Sequence, residues 1–310
     1  MTREIGIIGA GLAGLVCASR LQSAGRSVQI IEKSGDIGGR LATRRRREGC
    51  WNHGASDLQP KPGLFKAFLD TRCEDGSARS SGGVYQGVPD MRELLRPVSA
   101  GLRIAFRTRV VEFQRRRGAW WVTSGTGSQF GPFAALVFCI PAPQVVGLFR
   151  RSGSSVPAGL ERVEFEPCWV GLLSFSEQHG TLPVSSALPR SPVTRIERRR
   201  SPGQVRGETW VVRTSPVWTR EHLELDRARV AALIAAELEH QTGERLQTDS
   251  ISAHLWRYAR NIVPLGRSHV WLPDDRLGIA GDWCLGPNAE HAFASANSVA
   301  DALLAAADRA

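Results

Sequence analysis

The feature that most constrains this chain is a glycine-bearing turn, Gly9-Ala10-Gly11-Leu12-Ala13-Gly14, set between an apolar run and a helical pattern. Glu4–Gly9 carries Ile5, Ile7 and Ile8 without polar alternation, the pattern of a strand buried on both faces in a parallel sheet. After the turn, Leu15, Leu21 and Ala24 mark a helix that Gly25 ends, and a second strand, Ser27–Ile31, terminates in Glu32. Each glycine has a physical task. Gly9 permits the tight turn, Gly11 lets the backbone approach a pyrophosphate, and Gly14 allows the helix to pack closely on the strand. The start of the helix then offers the N–H groups of Leu12 and Ala13, and its positive dipole end, to phosphate oxygens. Glu32 is placed to accept a hydrogen bond from a ribose 2′-hydroxyl, and an acid there disfavours a 2′-phosphate. A glycine-rich turn on its own is a common structural device. The strand, helix, second strand and closing acid in register predict a Rossmann-type dinucleotide unit.

Further along, strands are expected around Ile104–Phe113 and Ala119–Thr123, flanking the turn Arg115–Gly118. Ala134–Ile140 is a continuous apolar strand closed by Pro141-Ala142-Pro143, and Val163–Phe175, Gly207–Thr214 and Ile251–Tyr258 also read as strands. Arg227–Thr242 places Val230, Leu233, Ile234 and Leu238 at helical spacing, with Gly243 as the stop. Near the carboxyl end a short strand, Leu277–Ala280, is followed by Gly281-Asp282-Trp283 and an alanine-rich helix over Asn288–Ala307. The pattern predicts an α/β chain: a Rossmann-type cofactor domain interleaved with a mixed β-sheet plus helix substrate domain. The expected boundaries are 1–56, 98–160 and 264–310 for the first, and 57–97 and 161–263 for the second.

Composition narrows the partners. A formal net charge of +10 raises the question of nucleic acid, but the excess is nearly all arginine, in short clusters at Arg44–Arg47, Arg115–Arg117 and Arg198–Arg200. No helix-turn-helix, zinc finger or basic tail accompanies them, so no nucleic-acid partner is expected. The clusters read either as a solvated surface or as a field that attracts an anionic small-molecule substrate. No apolar run reaches the roughly 18 residues of a membrane-spanning helix, so no membrane partner is expected. The apolar stretch near Ile5–Leu21 lacks a basic lead and is interrupted by glycines, which favours the strand–turn–helix over a signal peptide; a cytoplasmic protein is expected. Six cysteines are scattered without a C-x-x-C pair, so neither a disulfide framework nor a metal site is expected. Cys284 reads as a core thiol, with a reactive thiol as the alternative.

Gly38-Gly39-Arg40-Leu41-Ala42-Thr43 resembles the second diphosphate-contacting motif of the two-dinucleotide-binding-domain flavoproteins, the group of amine oxidases and phytoene desaturases. With Asn52-His53-Gly54-Ala55, Thr209-Trp210-Val211, Ala253–Arg260 and Gly281–Leu285, the whole chain resembles the bacterial renalase-like FAD-dependent oxidases. The resemblance implies FAD as cofactor, held by Gly9, Ala10, Gly11, Leu12, Ala13, Gly14, Glu32 and Lys33 at the ribose and pyrophosphate. It extends that site to Gly39, Arg40, Leu41, Gly54 and Ala55, and to Val110 through its backbone at the adenine. Gly281, Asp282, Glu290 and Ala292 complete it around the ribityl chain and the start of the last helix. It also implies oxidation of a dihydronicotinamide isomer of NAD(P), with hydride passing to flavin N5 and then to O₂. Such chemistry asks mainly for positioning and requires no base, so no catalytic residue is assigned. His254, Trp256, Tyr258 and His291 are candidate pocket residues; for the strand aromatics and for His254, an ordinary core position is the competing reading.

The chain departs from the family pattern in places. Ser56-Asp57 stands where relatives carry Gln-Tyr, and His291 stands where they carry glycine. An amine oxidase or desaturase is the alternative. Amine oxidases commonly keep a lysine bonded to a water near N5, and the three lysines here, Lys33, Lys61 and Lys66, leave only the last two for that role. A non-catalytic flavin-binding or nucleic-acid-binding protein on the same fold is the third reading.

Overall fold

A computed structural model of the chain describes residues 4–177, 192–200, 207–243 and 245–307. The backbone divides into two compact units, one of residues 1–41, 57–164 and 261–310, the other of 42–56 and 165–260. Residues 42–56 pack with the second unit, and 57–97 pack with the first.

The first unit is built on a six-stranded sheet, in the order Val270–Leu272, Leu277–Ile279, Ala135–Phe138, Ile5–Ile8, Val28–Ile31, Arg103–Ala105. All neighbours run parallel except the first pair. Ile7, Ile30, Val137 and Phe138 are fully buried, as continuous apolar strands covered on both faces require. Each such side chain contributes roughly 1.5–3 kcal/mol of transfer free energy. The first helix, Leu12–Ser23, and the last, Ala289–Ala307, pack together. Arg20 Nε donates to Asp301 at 2.8 Å across that contact.

The strand expected at Ile104–Phe113 is two strands. Arg103–Ala105 joins the parallel sheet, while Val110–Arg116 begins an antiparallel three-stranded sheet with Ala119–Ser124 and Gln129–Phe133. Arg107, at a left-handed φ of 53°, breaks the extended run between them. Pro141 caps a helix, Ala142–Arg151, and a further helix, Leu64–Glu74, carries the aromatic pair Phe65 and Phe68 onto Phe293.

The second unit centres on a four-stranded sheet in the order Val193–Arg200, Glu208–Thr214, Glu164–Phe175, Ser250–Val263. Its longer helix is Arg227–Thr242, capped by the Asp226 carboxylate at its start and by left-handed Gly243 at its end. Val230, Ile234 and Leu238 meet Trp169, Leu173, Trp210 and Val212 of the sheet in one buried cluster. Gly171 lets the helix come close, since a Cβ there would lie 2.9 Å from Ile234 Cγ2. A hairpin of Arg44–Arg46 and Gly49–Trp51 packs on this sheet through Thr209, and Trp51 Nε1 donates to the Leu173 carbonyl at 2.7 Å.

Candidate cofactor site

The carboxyl ends of four neighbouring parallel strands meet at Gly9, Glu32, Cys139 and Gly281, the edge where open α/β sheets bind ligands. Backbone bonds stitch this edge: Gly9 N–H to Ile31 O, Cys139 N–H to Ile8 O, and Ala280 N–H to Phe138 O, at 2.8–3.1 Å. Gly9 turns with φ +106°. A Cβ on Gly14 would fall 1.9 Å from the Gly9 carbonyl oxygen, so that glycine is demanded by helix-on-strand packing. Gly11 is different, because its own Cβ would meet nothing nearer than Gly39 Cα at 3.7 Å. Protein packing therefore does not by itself require a glycine at that position.

The second glycine turn closes on the first. Gly38 N–H donates to Ala10 O at 3.0 Å, Gly11 and Gly38 form a parallel bridge, and a Cβ on Gly39 would lie 3.0 Å from Gly11 Cα. Leu41, buried, completes a short turn by donating its N–H to Gly38 O at 2.9 Å. No side chain caps the helix that begins at Leu12, so its first N–H groups remain for a ligand.

Glu32 is buried, and both its oxygens accept backbone N–H groups, from Ala10 and from Ser34, each at 2.7 Å. Each oxygen keeps a further lone pair for a ribose hydroxyl. Thr108 N–H donates to the Glu32 carbonyl at 2.8 Å, which brings the segment leading to Val110 beside the same acid. Lys33 is exposed.

From the carboxyl end, Asp282 is buried and pairs with Arg40: Nη1 donates to Oδ2 at 2.7 Å and Nη2 to Oδ1. The pair engages two of the five guanidinium donors of a one-third-exposed side chain. Gly281 N–H is held by the buried Ser295 hydroxyl at 3.0 Å. Ala292 is buried, and Glu290 accepts the Lys61 N–H at 3.1 Å. His291 turns back on its own helix start, where Nδ1 accepts the Asn288 N–H at 3.2 Å and the ring covers Gly286. Cys284 is buried, and desolvation pushes its thiol up to about 12, as burial also does for Cys17. These thiols are core residues.

The remaining sequence-assigned residues lie in the second unit. Gly54 is occupied by the backbone, its N–H donating to Ala42 O at 3.2 Å and its carbonyl accepting from Arg213. Ala55 follows it in the same segment. His254 and Trp256 share a strand face, with ring centroids 4.6 Å apart at 71°. Tyr258 instead meets Phe165 edge-on at 5.6 Å. Sequence reasoning missed His53. It is buried, stacks on Trp256 at 5.2 Å, meets the His254 ring at 4.7 Å, and accepts the Trp256 indole N–H at its carbonyl, 2.8 Å away. Desolvation, then electrostatic repulsion from His254 and Arg44, push its imidazole down to about 3, against a backbone hydrogen bond with Trp51 that acts the other way. Its place in Asn52-His53-Gly54-Ala55 was the one available signal. Among the described residues no helix is long and apolar enough to cross a membrane, and no cluster of acids, histidines and cysteines is arranged to hold a metal ion.

This geometry defines the class: a dinucleotide-binding α/β protein whose site is closed by both chain ends. A model described as an NAD(P)-binding Rossmann-like domain matches residues 7–70, and one described as flavin containing amine oxidoreductase matches residues 64–304. The chain belongs to the flavin-containing amine oxidoreductase family, and its cofactor is FAD.

Two solved structures share the fold over nearly their whole length. A putative protoporphyrinogen oxidase from Exiguobacterium sp. 255-15 has a TM-score of 0.71 at 12% identity, covering 97% of this chain and 98% of that one. Cyclohexylamine oxidase from Brevibacterium oxydans IH-35A has a TM-score of 0.69 at 10% identity, covering 99% and 100%. An L-amino-acid oxidase of Siganus canaliculatus is 39% identical over 72 residues, which is 23% of this chain and 14% of that protein. A putative L-amino-acid oxidase of Bacillus subtilis (strain 168) is 56% identical over 43 residues, 14% of this chain and 9% of that protein. The matched stretches thus span only 14% and 9% of the lengths of these two curated relatives.

Proposed function

We propose that the chain is an FAD-dependent oxidase of the renalase-like kind, which removes a hydride from a small reduced substrate, a dihydronicotinamide isomer of NAD(P) being the leading candidate. The observation that carries this reading is the uncapped helix start framed by Gly11 and Gly39, with Glu32 at its side and Arg40–Asp282 across it. Bound there, FAD supplies a two-electron acceptor that O₂ reoxidises with release of H₂O₂.

The chain's own groups bind and orient. The N–H groups of Leu12 and Ala13 and the helix dipole take the pyrophosphate, with Gly9–Gly14 and Gly39 giving backbone approach. Arg40 adds charge, and Glu32, beside Lys33, accepts from ribose. Val110 serves the adenine through its backbone, and Leu41 buttresses the second turn. Gly281 and Asp282 take the ribityl side, with the helix start at Glu290–Ala292 beside it. The second unit receives substrate, with Trp256, His254 and Tyr258 as its aromatic and imidazole groups and the arginine-rich surface favouring an anionic molecule.

An amine oxidase is the second reading. Lys66 is tied to Asp70 at 2.8 Å on an exposed helix face, and the Lys61 side chain is exposed. This disfavours either lysine as the one that organises water in amine oxidases. The test is anaerobic bleaching of the FAD-loaded protein by dihydronicotinamide isomers and by amines. Rapid bleaching by an isomer supports the first reading, and bleaching by amines alone replaces it with the second. A protein that takes up no FAD overturns both.

A further inference from the structure

The second glycine turn is built from two residues that have no side chains to hold it. Gly38 and Gly39 adopt φ of 125° and 55°, a region that glycine enters freely but does not prefer. The chain just before them, residues 33–35, is exposed. The Gly38 N–H bond to Ala10 O holds the turn from one side. Asp36 supplies a second hold. Its Oδ1 accepts the Ile37 N–H at 2.8 Å, which fixes the peptide leading into the glycines. Its Oδ2 accepts from Arg92 Nη1 and, at 3.3 Å, from Arg96 Nη2.

Arg92 belongs to the short helical turn Met91–Leu95, in which Met91, Leu94 and Leu95 are buried. The buried Asp90 carboxylate accepts the Arg92 N–H at 3.2 Å and caps that turn. The Arg92 side chain is 9% exposed, whereas that of Asp36 is 36% exposed. Its Nε is buried without a hydrogen-bond partner. A buried cation needs a counter-charge, and Asp36 provides one. The two halves of the pair are therefore unequal. The packed element fixes where the guanidinium stands, and the exposed loop follows it. A chain of contacts runs from Arg92 through Asp36 and Ile37 to Gly38, and from Gly38 to Ala10 and Gly11.

We propose that Arg92 is a positioning residue for the cofactor: through Asp36 it sets the second glycine turn against the first, at the spacing that the FAD diphosphate requires. The proposal rests on the placing of the diphosphate between the two turns given above. Arg92 acts through Asp36 and not on FAD itself. Two accounts of the pair differ in sign at Asp36. A pair that acted only through its electric field would bind the anionic diphosphate more tightly once the Asp36 charge was removed. A pair that holds the turn has the opposite response. An asparagine there keeps an oxygen for the Ile37 N–H, but turns an NH₂ toward a guanidinium that can only donate.

The test titrates apoprotein with FAD by flavin fluorescence and records phosphorus NMR spectra of the loaded protein. Asp36→Asn is expected to bind FAD roughly tenfold more weakly, and Arg92→Gln at least as much more weakly, as loss of a charge-assisted hydrogen bond should produce. Arg92→Lys, which keeps the charge without the fork, should fall between Arg92→Gln and the parent. Arg150→Gln makes the same charge change as Arg92→Gln at an exposed pair with Glu161, and leaves binding unchanged. The phosphorus resonances of bound FAD should shift in Asp36→Asn, which a loss of stability alone does not produce. Should Arg92→Gln fail to fold, Asp36→Asn decides by itself, because its side chain is partly exposed. Binding in Asp36→Asn equal to or tighter than the parent's overturns the proposal. Weaker binding with unmoved phosphorus resonances assigns the pair to stability alone and overturns it too. Failure of the parent itself to take up FAD overturns the cofactor site, and this proposal with it.

Discussion

Arg40 and Asp282 stand 242 positions apart in the chain, yet their side chains meet fork to fork, with Asp282 4% exposed. The pair joins the second glycine turn to the turn that precedes the last helix. One interaction thus ties the amino-terminal and carboxyl-terminal segments of the first unit together at the candidate cofactor site. Asp282→Ala leaves Arg40 without its buried counter-charge and is expected to destabilise the protein by about 2–3 kcal/mol, at or below the low end of the buried-pair range because Arg40 is one-third exposed. FAD retention through gel filtration should fall with it. Arg40→Lys, which loses the planar fork but keeps the charge, should show a smaller loss of both. Unchanged unfolding and retention in both variants would refute the role.

Gly11 and Gly14 separate cofactor from fold. Gly14→Ala drives a Cβ into the Gly9 carbonyl and should cost about 3 kcal/mol of stability with or without FAD. Gly11→Ala meets only a van der Waals contact and should leave apoprotein unfolding within about 0.5 kcal/mol of the parent. Its FAD affinity should nevertheless drop at least roughly tenfold, as read by flavin fluorescence titration. Equal affinity in Gly11→Ala would show that no phosphate approaches that backbone.

Glu32 anchors the turn by accepting two backbone N–H groups, whatever its proposed contact with a ribose. Glu32→Gln can satisfy only one of the two backbone donors, Ala10 and Ser34, and the other is left facing an amide NH₂. The expected cost is about 1–3 kcal/mol in the apoprotein, measured by denaturant unfolding, before any loss of FAD is counted. A purely ligand-binding role would leave the apoprotein untouched.

His53 makes stability depend on pH in a definite direction. Its folded-state value, about 3, lies below the ordinary histidine value of 6.5, so the unfolded chain binds the extra proton between those limits. Stability is retained above about 6.5 and falls as the pH drops toward 3. Between pH 7 and 5 this single group should remove about 2 kcal/mol. Comparing unfolding of the parent and His53→Gln at both pH values isolates it, since every other titrating group is common to the two. A parallel pH dependence in the two proteins would contradict the burial of a neutral imidazole.

Cys284 should resist alkylation. With its thiol raised from 9.0 to about 12, its thiolate fraction at pH 8 is roughly a thousandfold below that of an ordinary cysteine. Mass-spectrometric mapping of native FAD-loaded protein after iodoacetamide should find Cys284 unmodified. Modification there before Cys50 or Cys73 would restore the reactive-thiol reading.

What sequence alone determined here is local. The apolar runs at Ile5–Ile8 and Ala135–Phe138, the glycine spacing after Ile8, the Gly243 stop of Arg227–Thr242 and the acid at Glu32 all act within a few residues. Their signals, namely periodicity, a turn that only glycine tolerates and a stop residue, are printed in order along the chain. The break at Arg107 escaped because a left-handed arginine has no compositional mark. Tertiary structure decided the rest: the Arg40–Asp282 pair, Glu32 bonding Ala10, and the meeting of Arg44, His53 and His254 from segments about two hundred residues apart. Charge and hydrogen-bonding capacity are visible in each residue, but their partners are chosen by packing, which brings together groups that no local pattern relates.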